Sequence, residues 1–206
     1  MTASAALDAY VLDDDEDLAA AVARRVRSAG FHVDAVSDPI ALLERFSSAP
    51  SACVISDVMM APMDGFSFVR RLRQTQPFVS VIFMTAWPKV SDAVDAIREL
   101  GGVDYLAKPV DETRLLNAVD NAVRTGRQAQ LCHEKLSRLT QRERDVFDLL
   151  VAGYASKAIA SVLKISPRTV DDHRAKIASK LGTGSLPELV ALRSKAASGN
   201  FGFPPE

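Results

Sequence analysis

The chain has 206 residues, 48% of them hydrophobic and 25% charged, which is enough apolar material for one large core or two modest ones and too much for a disordered chain. Its formal net charge of -1 hides a segregation, because residues 1–125 carry 18 acids against 12 bases and residues 126–206 carry 8 against 13. An acidic front half and a basic back half suit a cation- or phosphate-handling domain joined to a nucleic-acid binder, and they argue against one uniform surface.

Five short apolar runs come first: LDAYVL (7–12), FHVDAV (31–36), ACVIS (52–56), VSVIFMT (79–85) and VDYLA (103–107). Between and after them lie stretches of helical period at 16–29, 39–47, 65–74, 90–100 and 111–124. Strands alternating with amphipathic stretches of this length predict βαβ crossovers, and hence a doubly wound five-stranded parallel sheet with helices on both faces. In such a sheet ligands gather outside the carboxyl ends of the strands, where the strand order reverses. Residues 126–138, GRQAQLCHEKLSR, are polar and lack a strand pattern, so they read as a linker with some helical character. The chain therefore divides into residues 1–125, a linker at 126–138, and a small all-α domain at 139–206.

Only helical patterns follow the linker. Thr140 and Glu143 stand at capping-box spacing ahead of Val146, Phe147 and Leu150, and Gly153 ends that helix. A short helix with Ile159, Ala160 and Leu163 inward comes next. Ser166 caps a longer one, with Pro167 in its first turn and Gly182 at its end, and Ser185 with Glu188 offers a second capping box. Cys53 sits in an apolar run as a small hydrophobe, and Cys132 is far from it in sequence, so neither a disulfide nor a zinc site is indicated. No stretch approaches the roughly 18 consecutive apolar residues of a membrane helix, so the expectation is a cytoplasmic protein without a membrane partner.

Three acids fall at predicted strand ends: Asp13 and Asp14 after the first run and Asp57 after the third. Thr85 and Lys108 end the fourth and fifth. Carboxylates gathered at one rim repel one another unless a cation offsets them, and hard oxygen ligands suit Mg²⁺. A cation there would neutralise and align an incoming phosphoryl group for Asp57, with Lys108 and Thr85 taking phosphoryl oxygens. Asp15, Glu16 and Asp17 read instead as acids favouring a helix amino terminus through its dipole.

VLDDDED, ISDVMMAPMDG, VIFMTAW and VDYLAKP resemble, in order and approximate spacing, the receiver domain of two-component response regulators, over about residues 6–125. The resemblance implies a flavodoxin/CheY-like fold in which Asp57 accepts phosphate from a sensor histidine kinase. It implies Mg²⁺, with Mn²⁺ as a substitute, on Asp13, Asp14, Asp57 and the Met59 backbone carbonyl. Lys108 would bridge to the phosphoryl group, and Thr85 and Tyr105 would form a switch pair; Tyr105 equally suits a half-buried strand aromatic. Two departures stand out. Receivers usually carry proline four residues after the phosphorylated Asp, where this chain has Ala61 followed by Pro62, a change that alters the loop's turn. The segment IRELGGVDYLAKP is also one residue longer than the usual pattern.

The string LTQRERDVFDLLVAGYASKAIASVLKISPRTVDDHRAKIASKLG resembles the LuxR-type helix-turn-helix output domain of FixJ/NarL response regulators, across about 138–196. The resemblance implies four helices, the third in the major groove of promoter DNA and the fourth helping to pair two subunits. Asp171, Asp172 and Ala175 would lie near base edges, and Lys157, Arg168, Thr169, Arg174, Lys176 and Lys180 would mostly meet phosphates. The adjacent acids can accept from cytosine N4 or simply favour the helix amino terminus. His173 reads as a packing and capping residue. The function these features imply is a phosphorylation-controlled transcription regulator that pairs as a homodimer when phosphorylated, with RNA polymerase as a further partner, and that is not an enzyme acting on outside substrates. A stand-alone aspartate-nucleophile phosphatase would need an acid two residues after Asp57, where Met59 stands. The remaining alternative is a DNA-binding regulator whose receiver works unphosphorylated, as a dimerisation or ligand-sensing module.

Overall fold

The structure, a computed structural model, describes residues 7–46 and 51–197, so the last residue of the predicted 39–47 helix lies outside the described residues. They form two compact units that divide between Arg127 and Gln128. The first contains β1 (Ala9–Leu12), α1 (Glu16–Ser28), β2 (Val33–Val36), α2 (Pro39–Phe46), β3 (Cys53–Asp57), α3 (Gly65–Thr75), β4 (Ser80–Thr85), α4 (Val90–Arg98), β5 (Gly102–Ala107) and the start of α5 (Glu112–Ser137). Its five strands are all parallel in the order β2-β1-β3-β4-β5. This is the doubly wound sheet expected from the sequence, and its order reverses at β1 and β3, which opens the ligand crevice beside Asp13 and Asp57.

The period-2 alternation of the strands sorts their side chains into two cores. Ala9, Val11, Cys53, Ile55, Ile82 and Met84 pack toward Ala19, Ala23 and Val26 of α1 and Leu115, Val119 and Ala122 of α5. Tyr10, Leu12, Val54, Val81 and Phe83 pack toward Leu42 and Phe46 of α2, Phe68 and Leu72 of α3, and Ala96 of α4. Each large apolar side chain so buried stabilises the fold by about 1.5–3 kcal/mol relative to exposure. Burial also pushes the Cys53 thiol well above its usual range, leaving it an inert core group.

The extra residue before the fifth strand is absorbed inside the sheet. Val81 pairs with Gly102 but Ile82 pairs with Asp104, so Val103 is the unpaired residue of a bulge and the register beyond it is restored. Gly102 is needed there, because a Cβ would stand 3.0 Å from the Ala96 carbonyl oxygen and 3.1 Å from the Phe83 ring.

The segment 126–138, read as a linker with some helical character, is helical as far as Ser137 and forms the second half of α5. Gly126 suggests a helix end in sequence, since glycine weakens helix interiors. Its place in the fold explains it: a Cβ would lie 2.0 Å from the Ala52 carbonyl oxygen, so only glycine lets α5 approach the sheet. Arg127 then pairs with the buried carboxylate of Asp8. Beyond it Ala129, Cys132 and Leu136 are buried at i, i+3, i+7 spacing, a narrow apolar stripe within a mostly polar stretch.

In the second unit α6 (Gln141–Val151), α7 (Ser156–Leu163), α8 (Pro167–Leu181) and α9 (Leu186–Ala197) close around Phe147, Val146, Ile159, Val170, Ile177, Leu181 and Leu189, joined by Cys132 and Leu136. Ser166 Oγ caps α8 by accepting from the Thr169 N–H at 3.1 Å, with Pro167 in the first turn, and Gly182 ends it at φ 76°. Lys164, at φ 53°, makes the left-handed turn between α7 and α8. The capping box at Thr140 is present, whereas the Ser185 N–H donates to Thr183 Oγ1 at 3.1 Å instead of serving a box with Glu188.

Candidate functional sites

At the crevice β1 delivers Asp13, β3 delivers Asp57, β4 delivers Thr85 and the residue after β5 is Lys108. Asp13 and Asp57 are 2% and 5% exposed, Thr85 is buried, and Asp14 faces solvent. Lys108 Nζ lies 2.6 Å from Asp13 Oδ2 and 2.7 Å from Asp57 Oδ1. One carboxylate oxygen from each of Asp13, Asp14 and Asp57 lies within 4.8 Å of the others. One lysine therefore serves two buried acids with a third beside them, and the site keeps net negative charge. Burial raises the Asp13 pKa above its usual range against the opposing hydrogen bond from Lys108. For Lys108 burial works toward a lower pKa, but its hydrogen bonds to Asp13 and Asp57 outweigh it and raise the value. Three clustered carboxylates with solvent on one side form a hard oxygen donor set that fits Mg²⁺ or Mn²⁺.

The neighbouring acids have other work. Asp15 caps α1, its Oδ1 accepting from the Leu18 N–H at 3.0 Å, and Glu16 and Asp17 occupy the first turn. Asp64 caps α3; partial burial would raise its pKa, but hydrogen bonds from the Ser67 N–H and hydroxyl hold it below the usual range.

Several contacts here have no sequence signature. Gly65 opens α3 against β3, where a Cβ would lie 2.1 Å from the Asp57 carbonyl oxygen. Ala61, at the position where proline is usual, donates its N–H to Asp14 Oδ2 at 3.1 Å, a bond that proline could not make. The displaced proline thus leaves the loop tied to an acid of the site. The Met59 side chain is exposed. Thr85 Oγ1 accepts from the Trp87 N–H at 3.2 Å, and Lys108 N–H donates to the Thr85 carbonyl at 2.7 Å. Tyr105 is partly buried; its hydroxyl is shielded from solvent near Thr85 without a hydrogen bond of ordinary geometry among the described residues, and burial together with the Asp92 charge raises its pKa.

On the helical unit Lys157, Arg168, Asp171, Asp172, Arg174, Ala175 and Lys176 are exposed, and Thr169 is half-buried with its N–H on Ser166. Val170 and Ile177 point into the core between them, so α8 presents a polar outer face. Lys180, expected among the phosphate-contacting residues, has a partner within its own unit. Its Nζ lies 2.5 Å from Oε2 of Glu143, which is 3% exposed, so a buried carboxylate holds it. The same carboxylate accepts from the Thr140 N–H at 2.8 Å, closing the capping box. Hydrogen bonds from Lys180 and Thr140 hold the Glu143 pKa down at about 2. His173 is half-buried with its Nδ1 shielded and unpartnered among the described residues, as suits packing rather than metal binding.

Residues 9–120 match the family model described as response regulator receiver domain, and residues 137–192 match bacterial regulatory proteins of the luxR family. The chain is 35% identical over 194 residues to the transcriptional regulatory protein FixJ of Bradyrhizobium diazoefficiens, covering 91% of this chain and 94% of that one. It is 31% identical over 193 residues to the response regulator protein TodT of Pseudomonas putida, covering 90% and 85%. Among solved structures, full-length FixJ from B. japonicum is similar at 34% identity and a TM-score of 0.54, over 92% of this chain and 97% of that one. The response regulator StyR is similar at 31% identity and a TM-score of 0.56, over 93% and 100%.

Proposed function

Because the chain belongs to the FixJ-type response regulators, receiver domain first and LuxR-type DNA-binding domain second, we propose that Asp57 accepts a phosphoryl group from a sensor histidine kinase and thereby controls DNA binding. At the coarser level the protein is a two-component DNA-binding transcription regulator. The observation that carries the finer reading is the shared lysine: Lys108 within 2.7 Å of both Asp13 and Asp57, at the crevice where the strand order reverses.

In the transfer an Asp57 carboxylate oxygen forms a bond to phosphorus as the phosphorus–nitrogen bond of phosphohistidine breaks, and the leaving imidazole keeps that electron pair. Asp13, Asp14, Asp57 and the Met59 carbonyl would hold Mg²⁺, which when bound would supply neutralising charge for the incoming phosphoryl group. Lys108 has its Nζ already beside the Asp57 oxygen, so it can bind a phosphoryl oxygen with little movement. Thr85 offers its hydroxyl from the end of β4. Tyr105, with its hydroxyl shielded near Thr85, is placed to follow any movement of that threonine. The reaction on Asp57 is self-modification, and no role toward an outside substrate is proposed.

Two exposed apolar faces support phosphorylation-driven pairing. Trp87, in the loop after β4, and Val90, which opens α4, are 71% and 84% exposed, with Val94 and Ile97 further along α4, and Leu186 and Val190 lie outward on α9. The first set would join receivers and the second output domains on a two-part site. The test is to treat the protein with a small phosphodonor and Mg²⁺, then measure sedimentation and promoter-DNA affinity beside Asp57→Asn. A dimer with tighter DNA binding only in the unaltered, treated protein supports the reading; identical behaviour of both proteins contradicts it. A groove of about 440 Å³ lined by Leu18, Val22, Arg25, Lys108 and Val110 favours, as second reading, a receiver that senses a ligand without phosphorylation.

A further inference from the structure

Two adjacent acids on the outer face of α8, Asp171 and Asp172, would face DNA phosphates of like charge. The structure separates them. Ser156, the first residue of α7, donates its hydroxyl to Asp171 Oδ1 at 3.1 Å and accepts from Arg174 Nη1 at 2.8 Å. A hydroxyl has one proton, a guanidinium only donates and an ionised carboxylate only accepts, so the polarity of this relay is fixed as Arg174 to Ser156 to Asp171. Arg174 also lines a cavity together with Tyr154, Ala155 and Ala178. Asp172 does not join the relay.

We propose that Asp171 is a positioning residue: acting through Ser156, it holds the Arg174 guanidinium beside the start of α7 as a preformed seat for a DNA phosphate, and it does not read a base. The inference rests on the reading of α8 as the DNA-facing helix. The intervening hydroxyl matters chemically. Asp171 orients Arg174 without a direct ion pair, so most of the guanidinium's N–H groups stay available to a phosphate oxygen. The base-facing candidates on α8 then narrow to Asp172 and Ala175.

The test uses the full chain and double-stranded DNA. A randomised duplex library gives the preferred sequence, and the enriched duplex is titrated over a salt series with the unaltered protein, R174A, S156A, D171A, D171N and the S156A/D171A pair. R174A should lower affinity and reduce the salt slope by about one phosphate contact. S156A and D171A should each weaken binding about three- to tenfold with the enriched sequence unchanged, and the pair should lose no more than either alone. D171N removes the charge but keeps an oxygen acceptor, so it should stay within about twofold. Thermal melts should match throughout, which separates positioning from folding. A new preferred base in D171A would make Asp171 a reader and overturn the proposal, as would equal tightening by D171A and D171N, the result of simple repulsion. Lys157→Ala and Arg168→Ala act as controls. If they leave binding intact, the DNA-facing reading fails and the relay with it; if they weaken binding while S156A and D171A do not, only the relay fails.

Discussion

Each unit of the molecule buries a carboxylate against a lysine, and the two pairs are built to opposite ends. In the helical unit one lysine, Lys180, meets one acid, Glu143, whose other hydrogen bond closes a capping box, and the Glu143 pKa lies at about 2. In the sheet unit one lysine, Lys108, is divided between Asp13 and Asp57 with Asp14 nearby, and burial raises the Asp13 pKa. A matched buried pair stabilises only its own fold. A surplus of buried acid costs stability and creates an affinity for whatever supplies positive charge, which is the behaviour of a site.

The largest expected effect falls on the matched pair. Lys180→Met leaves Glu143 buried and uncompensated, at a cost of about 3 kcal/mol, which in a helical unit of this size lowers Tm by about 10 °C or more. Calorimetry of the full chain should show that loss in the transition of the helical unit and leave the receiver transition in place. Gly65→Ala follows, since its Cβ would meet the Asp57 carbonyl oxygen at 2.1 Å; overpacking of this kind costs about 1–3 kcal/mol, read as a lower receiver Tm.

Acid should divide the two regions as well. The Glu143 pKa falls from 4.5 to about 2 on folding, so its contribution is complete above about pH 4.5 and is lost as pH falls toward 2. Asp13 has the reverse sign: its folded pKa is raised above 3.8, so its ionised form costs stability at neutral pH and that cost is relieved as pH falls through the folded value. Melts from pH 6 to pH 3 should therefore destabilise the helical unit with a contribution that Glu143→Gln removes. The smallest effect is Asp57→Asn, which reduces the acid surplus and should raise receiver stability by about 1 kcal/mol without added metal, while abolishing stabilisation by phosphoryl transfer. A fall in receiver stability instead would mean that Asp57 is a structural partner of Lys108, equivalent to Glu143 beside Lys180.

The contrast also marks what could be read along the chain. Strand runs such as 52–56 and 79–85 are legible because period-2 burial on both faces leaves nearly continuous apolar residues, and the acids that end them announce the crevice. Asp13, Asp57 and Lys108 follow from strand ends alone, since parallel strands deliver their carboxyl ends to one rim. Other features depend on tertiary contact. Gly126 looks like a helix stop until the Ala52 carbonyl is seen against it, and the ion pair of Lys180 with the buried Glu143 joins residues 37 apart that no local pattern connects. The bond from the Ala61 N–H to Asp14 spans 47 residues, and no local pattern encodes it. The extra residue of IRELGGVDYLAKP is countable in sequence, but only strand pairing identifies it as Val103 and turns it into a bulge.

If the acid surplus around Lys108 makes Asp57 a phosphoacceptor, intact mass will register it after incubation with a small phosphodonor, with and without Mg²⁺, in the unaltered protein and in Asp57→Asn. One phosphoryl increment, dependent on Mg²⁺, is expected in the unaltered protein and none in Asp57→Asn. An unaltered protein that gains no mass, or an Asp57→Asn variant that gains the same increment, would contradict it.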